Sequence, residues 1–355
     1  MAYTTIDDPS AHFQTTLYTG NGGTISITNG GNSDLKPDWV WIKNRTQYQH
    51  QVYDTTRGAT KKLLPSNTND ETTDTNALTA FNTDGFSLGT NVGVNQNSTA
   101  HVAWQWKANG GTTSTNTTGN GIDTVVQANA AAGFSIITYT GNGTQSGQTV
   151  GHGLGAVPKM IISKDRTNSS NVVSWRVYHV GIGPTKYLEL QSTAAESTFN
   201  DWDDTAPTSS VYSVGGAGGY TPTNTNNALY LAYVFAEVQG YSKFGKYVGN
   251  GSADGPFVYT GFKPAFLMMK ESSSAGGNWV IFDNKRDVDN VLIHRLHPNT
   301  NAGDNTSRNY IDFYSNGFKM RNTDADHNQS GQTMIYMAVA ENPFVTSTGI
   351  PTTAR

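Results

Sequence analysis

Cysteine is absent from this 355-residue chain. That excludes disulfide cross-links and thiolate metal sites, and leaves the redox compartment open. Charge is scarce, at 14% of residues, and the formal net charge of −4 is spread without blocks. No basic stripe of the kind that tracks a phosphate backbone is present, so no nucleic-acid partner is expected. No apolar run approaches the ~20 residues needed to cross a bilayer as a helix, so membrane insertion is not expected either. The opening MAYTTIDDPSAHF carries early acids and no apolar segment, unlike a secretory signal. What fills the chain instead is Gly (38), Tyr (17), Phe (14) and Trp (7), among abundant Ser, Thr and Asn. Short alternating apolar runs lie between Gly/Asn/Thr clusters, and helical periodicity is missing. This pattern predicts an all-β fold of many short strands.

One phrase recurs. YTGNG starts at Tyr18 and again at Tyr139, and YVGNG starts at Tyr247. A proline follows in each copy, at Pro37, Pro158 and Pro264, with separations of 19, 19 and 17 residues. After it come an apolar strand closed by a lysine (Lys43, Lys164, Lys270) and an aromatic strand around Tyr53, Trp175/Tyr178 or Trp279. Then follow a further strand at Phe86, Tyr212 or Phe318 and an alanine-bearing closing strand at Ala103, Ala232 or Ala338. Landmarks in one order at near-constant spacing identify a triplicated unit. Each unit is too long for a solenoid or propeller repeat and has the size of a sandwich domain. The predicted fold is all-β, with three tandem antiparallel β-sandwich modules of jelly-roll or lectin-like type. The expected organisation is an N-terminal arm (1–16), a first repeat (17–108), a Gly/Thr/Asn-rich linker (109–132), a second repeat (133–240), a third repeat (241–344) and a C-terminal tail (345–355).

The repeated residues have structural readings first. Gly-Asn-Gly is hairpin-turn chemistry, because both residues tolerate positive φ. Proline before an apolar run suits a strand start. Asp54-x-x-Arg57 and Asp283-x-x-Arg286 place a carboxylate and a guanidinium three residues apart just past a strand, where a charge-assisted bond pins a corner. The middle copy has His179 and Ile182 there. Trp39 and Trp41 alternate with Val40 and Ile42 and so share one strand face, and Trp104 and Trp106 repeat the pattern. Either both faces of such a strand are covered, or the aromatic face meets a partner. With Trp175 and Trp279, these indoles are the candidate binding positions, for a glycan or for a protein interface.

Chemistry finds no foothold in the sequence. No H-E-x-x-H or comparable ligand spacing, no G-x-S-x-G elbow and no marked carboxylate pair is present. Gly151-His152-Gly153-Leu154-Gly155 has only a superficial likeness to an oxyanion loop. Asn200-Asp201-Trp202-Asp203-Asp204 offers hard oxygens to Ca²⁺, but an ordinary acidic turn is the simpler reading. No catalytic residues, cofactor or metal are assigned, and the expectation is a non-enzyme.

The stretches MAYTTIDDPSAHFQTTLYTGNG, KPDWVWIKNR, FNTDGFSLGTN, VAWQWKANGG, YSKFGKYVGNGSADGPFVYTGFKP and AENPFVTSTGIPTTAR resemble a family of virion structural or tail-fibre-like proteins of tailed bacteriophages of marine bacteria. The resemblance covers nearly the whole chain. It implies lectin-like, concanavalin-type sandwich repeats, non-enzymatic work and a place on the exterior of a phage particle. The implied partners are other virion proteins, further copies of this chain (a homo-oligomer, trimer favoured) and a host-surface glycan. On this view the chain is an exposed fibre component touching glycan. The alternative is a capsid decoration protein or tail adaptor that binds only virion proteins.

Overall fold

The computed structural model describes residues 2–167 and 174–352. Its regular secondary structure is almost entirely antiparallel strand, with a 3-10 turn at Pro9–Ala11 and two single-turn α-helices, Val92–Asn95 and Ala325–Asn328. Its strands form six sheets, and the same strand order recurs along the chain. In the first repeat the opening strand Phe13–Thr19 lies beside the closing strand Ala100–Trp106. Next come the post-proline strand Trp39–Asn44 and the aromatic strand Gln51–Asp54. The second repeat gives Phe134–Thr140, Leu229–Ala236, Pro158–Asp165 and Arg176–His179 in the same order, and the third gives Ser242–Val248, Thr333–Pro343, Phe262–Glu271 and Trp279–Asp283. A smaller sheet accompanies each: Ile25–Ile27 with Phe86–Leu88 and Leu78–Phe81, Gln148–Gly151 with Val211–Val214, and Phe257–Tyr259 with Gly317–Met320 and Ile311–Tyr314.

Alternation along the strands dictates where the apolar cores sit. In Trp39–Asn44, Val40 and Ile42 point with Tyr53, Phe86 and Leu88 into a core between the large and small sheets of the first repeat. Tyr139, Tyr178, Tyr212 and Val234 do the same in the second repeat, and Leu267, Phe282, Phe318 and Tyr336 in the third. The opposite faces of all three large sheets meet in one further core. It contains Trp39, Trp41, Trp104 and Trp106 from the first repeat, Phe134, Trp175, Tyr233 and Phe235 from the second, and Phe244, Phe266, Trp279 and Met337 from the third. Both faces of the Trp39–Asn44 strand are therefore covered, by two different cores.

Several expectations need correction. The Gly-Asn-Gly segments are not hairpins. The strand before each belongs to a large sheet and the strand after it to the small one, so the segment crosses between sheets. The span 109–132 is not a free linker, because Ser114–Asn116 and Thr124–Asn129 extend the second large sheet on the outer side of Phe134–Thr140. Nor is 1–16 a detached arm: Ile6 is buried in the central core, the Tyr3 hydroxyl donates to the Gly261 carbonyl, and strand pairing begins at Phe13. In the 345–355 tail, Ser347 N–H donates to Asp7 at 2.6 Å, while residues 353–355 lie outside the described span. Pro158 opens its strand as expected, whereas Pro264 sits inside Phe262–Glu271 at a bulge where the pairing register shifts. The alanine landmark also slips. Lys43 pairs with Val102, Lys164 with Leu231 and Lys270 with Ile335, so Ala103 and Ala232 correspond to Tyr336 rather than to Ala338.

Candidate functional site

The six candidate tryptophans do not form a surface platform. Trp39, Trp41, Trp104, Trp106, Trp175 and Trp279 are each at most 2% exposed, so no sugar ring or separate chain reaches their faces. The expectation of a glycan platform on them is corrected. Their partners are the other repeats of the same chain. Trp39 stacks on Tyr233 of the second repeat, 4.1 Å between centroids, and Trp106 meets Phe266 of the third edge-on at 5.4 Å. The indole N–H groups are used across the same seams. Trp175 donates to Leu64 O of the first repeat and Trp279 to Glu189 O of the second. At the corresponding place in the first repeat, His50 accepts from Trp41 Nε1 at 2.8 Å, which leaves its Nδ1 unprotonated. Burial, with the nearby charges of Lys43 and Arg286, holds that imidazole well below its ordinary pKa.

The D-x-x-R pairs close the ring of seams. Arg57 Nε donates to Asp54 Oδ2 at 2.5 Å and Arg57 N–H to Oδ1 at 2.9 Å; Arg286 repeats this on Asp283 at 2.7 and 2.9 Å. All four side chains are fully buried. Each carboxylate also takes a donor from the next repeat in the cycle: Asp54 from the Tyr233 hydroxyl at 2.9 Å, and Asp283 from Trp104 Nε1 at 3.0 Å. Trp104 and Tyr233 occupy corresponding closing-strand positions, and the third residue at that position is Met337, whose side chain has no N–H or O–H to give. The partner across that seam is accordingly different. His179 takes the place of the aspartate and its Nε2–H donates to the Tyr336 carbonyl at 3.1 Å, while Gly181 N–H donates to its Nδ1. Ile182 then packs on the central core where the other copies place a guanidinium. The departure of the middle copy from D-x-x-R is thus the other half of a methionine on the facing strand. Burial works against the two guanidinium charges, yet Asp54, Tyr233 and Glu71 hold Arg57, and Asp283 and Asp304 hold Arg286, more firmly protonated than usual.

Tyr18, Tyr139 and Tyr247 have one job in three copies. Their hydroxyls donate to the carbonyls of Val94, Thr223 and His327, the residues just before the buried Asn95, Asn224 and Asn328. Each of those asparagines accepts the backbone N–H of the central residue of Gly-Asn-Gly (Asn21, Asn142, Asn250) at 2.8–3.0 Å. The first glycine is required by close approach. A Cβ on Gly20, Gly141 or Gly249 would lie 2.2–2.3 Å from a carbonyl oxygen of the facing loop, and the second glycine has positive φ in every copy. Sequence reasoning missed the asparagines. A signal existed: each lies six residues before the closing-strand residue that pairs with the repeat tyrosine (His101, Tyr230, Met334).

The three strand-closing lysines are buried as well, at 0–1% exposure. Lys43 Nζ donates to the carbonyls of Gln47, Tyr48 and Asn301, Lys164 Nζ to Thr68 O and Lys270 Nζ to Glu271 O. Burial depresses Lys43 to about 7, with Asp304 pulling the other way. It depresses Lys164 and Lys270 to about 8 against neighbouring carboxylates. Unfolded lysines titrate near ~10.4. Through the window from about pH 7 to that value the unfolded chain holds more protons, so stability rises with pH, by up to about 1.4 kcal/mol per pH unit for each lysine. The denaturant midpoint is expected to be higher at pH 9 than at pH 7, and Lys43→Met should flatten the slope. A midpoint that falls over this interval contradicts buried, readily neutralised amines.

The remaining candidates are structural. His152 in the Gly-rich loop is buried, with Nε2 against Thr208 O and Nδ1 against Leu154 N–H. In the acidic loop, Asp201 turns inward 3.6 Å from Arg176 Nε while Asp203 accepts the Gly147 N–H, so the carboxylates diverge. Among the described residues no three His, Asp or Glu side chains gather to hold a metal, and no helix is long and apolar enough to cross a membrane.

Neither the curated proteins nor the solved structures contain a match to this chain. Residues 8–343, all three repeats together, match the profile of one family, and the chain belongs to that family, described as a domain of unknown function (DUF7483).

Proposed function

We propose that this protein is a non-catalytic structural component of a bacteriophage particle, exposed on its exterior and binding other virion proteins. The observation that carries the structural part is the closed ring of seams. The repeated tyrosines, tryptophans, lysines and D-x-x-R pairs are all spent on holding the chain together. On this reading the repeats are three β-sandwich modules of one lectin-like unit, arranged about a pseudo-threefold axis. The chain then builds within itself the three-lobed body that a homotrimer of single modules would otherwise supply. The phage assignment rests on the sequence resemblance. A decoration or adaptor role is put ahead of host-glycan contact, because the aromatic positions on which glycan contact depended are buried.

The test is immunogold labelling of purified intact particles with antibody to the recombinant protein, beside a glycan array probed with the same protein. Regular labelling of the particle with no saturable glycan binding is the expected result. Particles that carry no label and lack the protein by mass spectrometry would refute the assignment.

A further inference from the structure

The opening strands of the three repeats are the outer strands of the repeated four-strand core, and they differ in how the free side is treated. In the second repeat, Phe134–Thr140 is covered through Tyr139 by Thr124–Asn129, paired antiparallel from Asn129 opposite Phe134 to Thr124 opposite Tyr139. Gln127 on that covering strand reaches the seam, where its Nε2 donates to the hydroxyls of Thr55 and Thr56. In the third repeat, Ser242–Val248 is an open edge but bears Lys243 and Lys246, side chains that discourage a further strand. In the first repeat, Phe13–Thr19 reads FQTTLYT, without a charge, and is the open edge of its sheet. Among the described residues no strand pairs with its outer side, and Leu17 and Thr19 of its second half are exposed.

The unguarded edge borders a groove of about 570 Å³ whose lining includes Thr15, Leu17, Asn284 and Lys285. Asn284 and Lys285 follow Asp283 as Thr55 and Thr56 follow Asp54, so they stand where the covering strand is held in the other seam. Pairing of Gly20 N–H with Thr99 O and of Lys107 N–H with His12 O sets the alternation, and turns the backbone groups of residues 13, 15, 17 and 19 away from the closing strand toward the open side. The Thr15 hydroxyl, on a side chain more than nine-tenths buried, has no hydrogen-bond partner among the described residues.

We propose that this edge and groove accept an extended, uncharged polypeptide strand from another chain, added antiparallel to Phe13–Thr19 as Thr124–Asn129 is added to Phe134–Thr140. Backbone hydrogen bonds supply the affinity in such strand addition, and the groove selects the side chains. The proposal deepens the assembly reading by naming how a partner docks, and it rests on that reading only for the partner's source.

The probe is a synthetic peptide with the sequence of residues 124–129, TVVQAN, capped at both ends and added to the intact protein. The expected result is saturable binding with one peptide per chain, together with slowed amide exchange confined to residues 13–19. Leu17→Pro removes an outward N–H that the fold itself does not use and should weaken binding at least tenfold; Leu17→Lys, which copies the guard of the third repeat, should do the same. Absence of saturable binding overturns the proposal, as does binding that leaves exchange at residues 13–19 unchanged. Binding of a neutral oligosaccharide in the groove without peptide binding would equally overturn it. Because the probe is a free peptide, failure here leaves the particle-labelling result standing, and the reverse also holds.

Discussion

Asp54→Ala is expected to destabilise the folded chain by about 3–5 kcal/mol, the usual cost of leaving one member of a buried ion pair without its partner. The substitution strands the Arg57 guanidinium with no solvent contact and leaves the Tyr233 hydroxyl without its acceptor. Glu71, 3.0 Å from Arg57 Nη1, stays in place and moderates the loss. Asp283→Ala should behave alike, since Arg286 keeps Asp304 at 2.8 Å while Trp104 Nε1 loses its acceptor. The double substitution Asp54→Leu/Arg57→Met should recover most of the loss, because apolar replacement of a buried pair is often neutral or stabilising. Denaturant unfolding of the three variants checks this. An Asp54→Ala loss below about 1 kcal/mol would put the pair in the class of solvent-screened surface bridges and contradict its role in the seam.

Trp39→Ala is the second large effect, at about 3–5 kcal/mol for truncating a buried aromatic side chain. Its ring meets Trp106 at 4.4 Å within its own repeat, and Tyr233, Phe134 and Phe235 of the second at 4.1, 5.8 and 6.0 Å. The loss should therefore fall on the join between repeats as well as on one sheet. Trp202→Ala is the control. That indole is equally buried but packs on Tyr178 and Tyr212 inside the second repeat. Both variants lose stability, and only Trp39→Ala should also separate the unfolding of the repeats, seen as a lower denaturant m-value or a second transition. If both variants unfold in one transition with the wild-type m-value, Trp39 does not join the repeats in the way described.

Much of the fold was legible because the chain writes it three times. Alternation in WVWIKN placed Val40 and Ile42 opposite the two tryptophans, and the repeated Pro, Lys and aromatic landmarks placed the strands in order. Pairing partners were not legible. Period two shows that the tryptophans share a face, but not that the face is covered by two other copies of the same sheet. Gly-Asn-Gly encodes a chain reversal of small residues. Whether it turns within a sheet or crosses between sheets depends on strand pairing some 80 residues away, where Asn95, Asn224 and Asn328 sit. Composition misleads for residues 109–132, where a run rich in Gly, Thr and Asn predicts a linker. Its TVVQAN stretch is a strand because the uncharged edge of Phe134–Thr140 offers it a ladder. The exchange of aspartate for histidine at position 179 was visible in the sequence, but its cause lies on a facing strand, at Met337.

The central claim is that the three repeats form one body around a shared core. Differential scanning calorimetry of the wild-type protein under reversible conditions tests it most directly. A single transition whose calorimetric enthalpy equals its van't Hoff enthalpy is the predicted result. Two or three resolved transitions, each carrying the enthalpy of about one repeat, would contradict it.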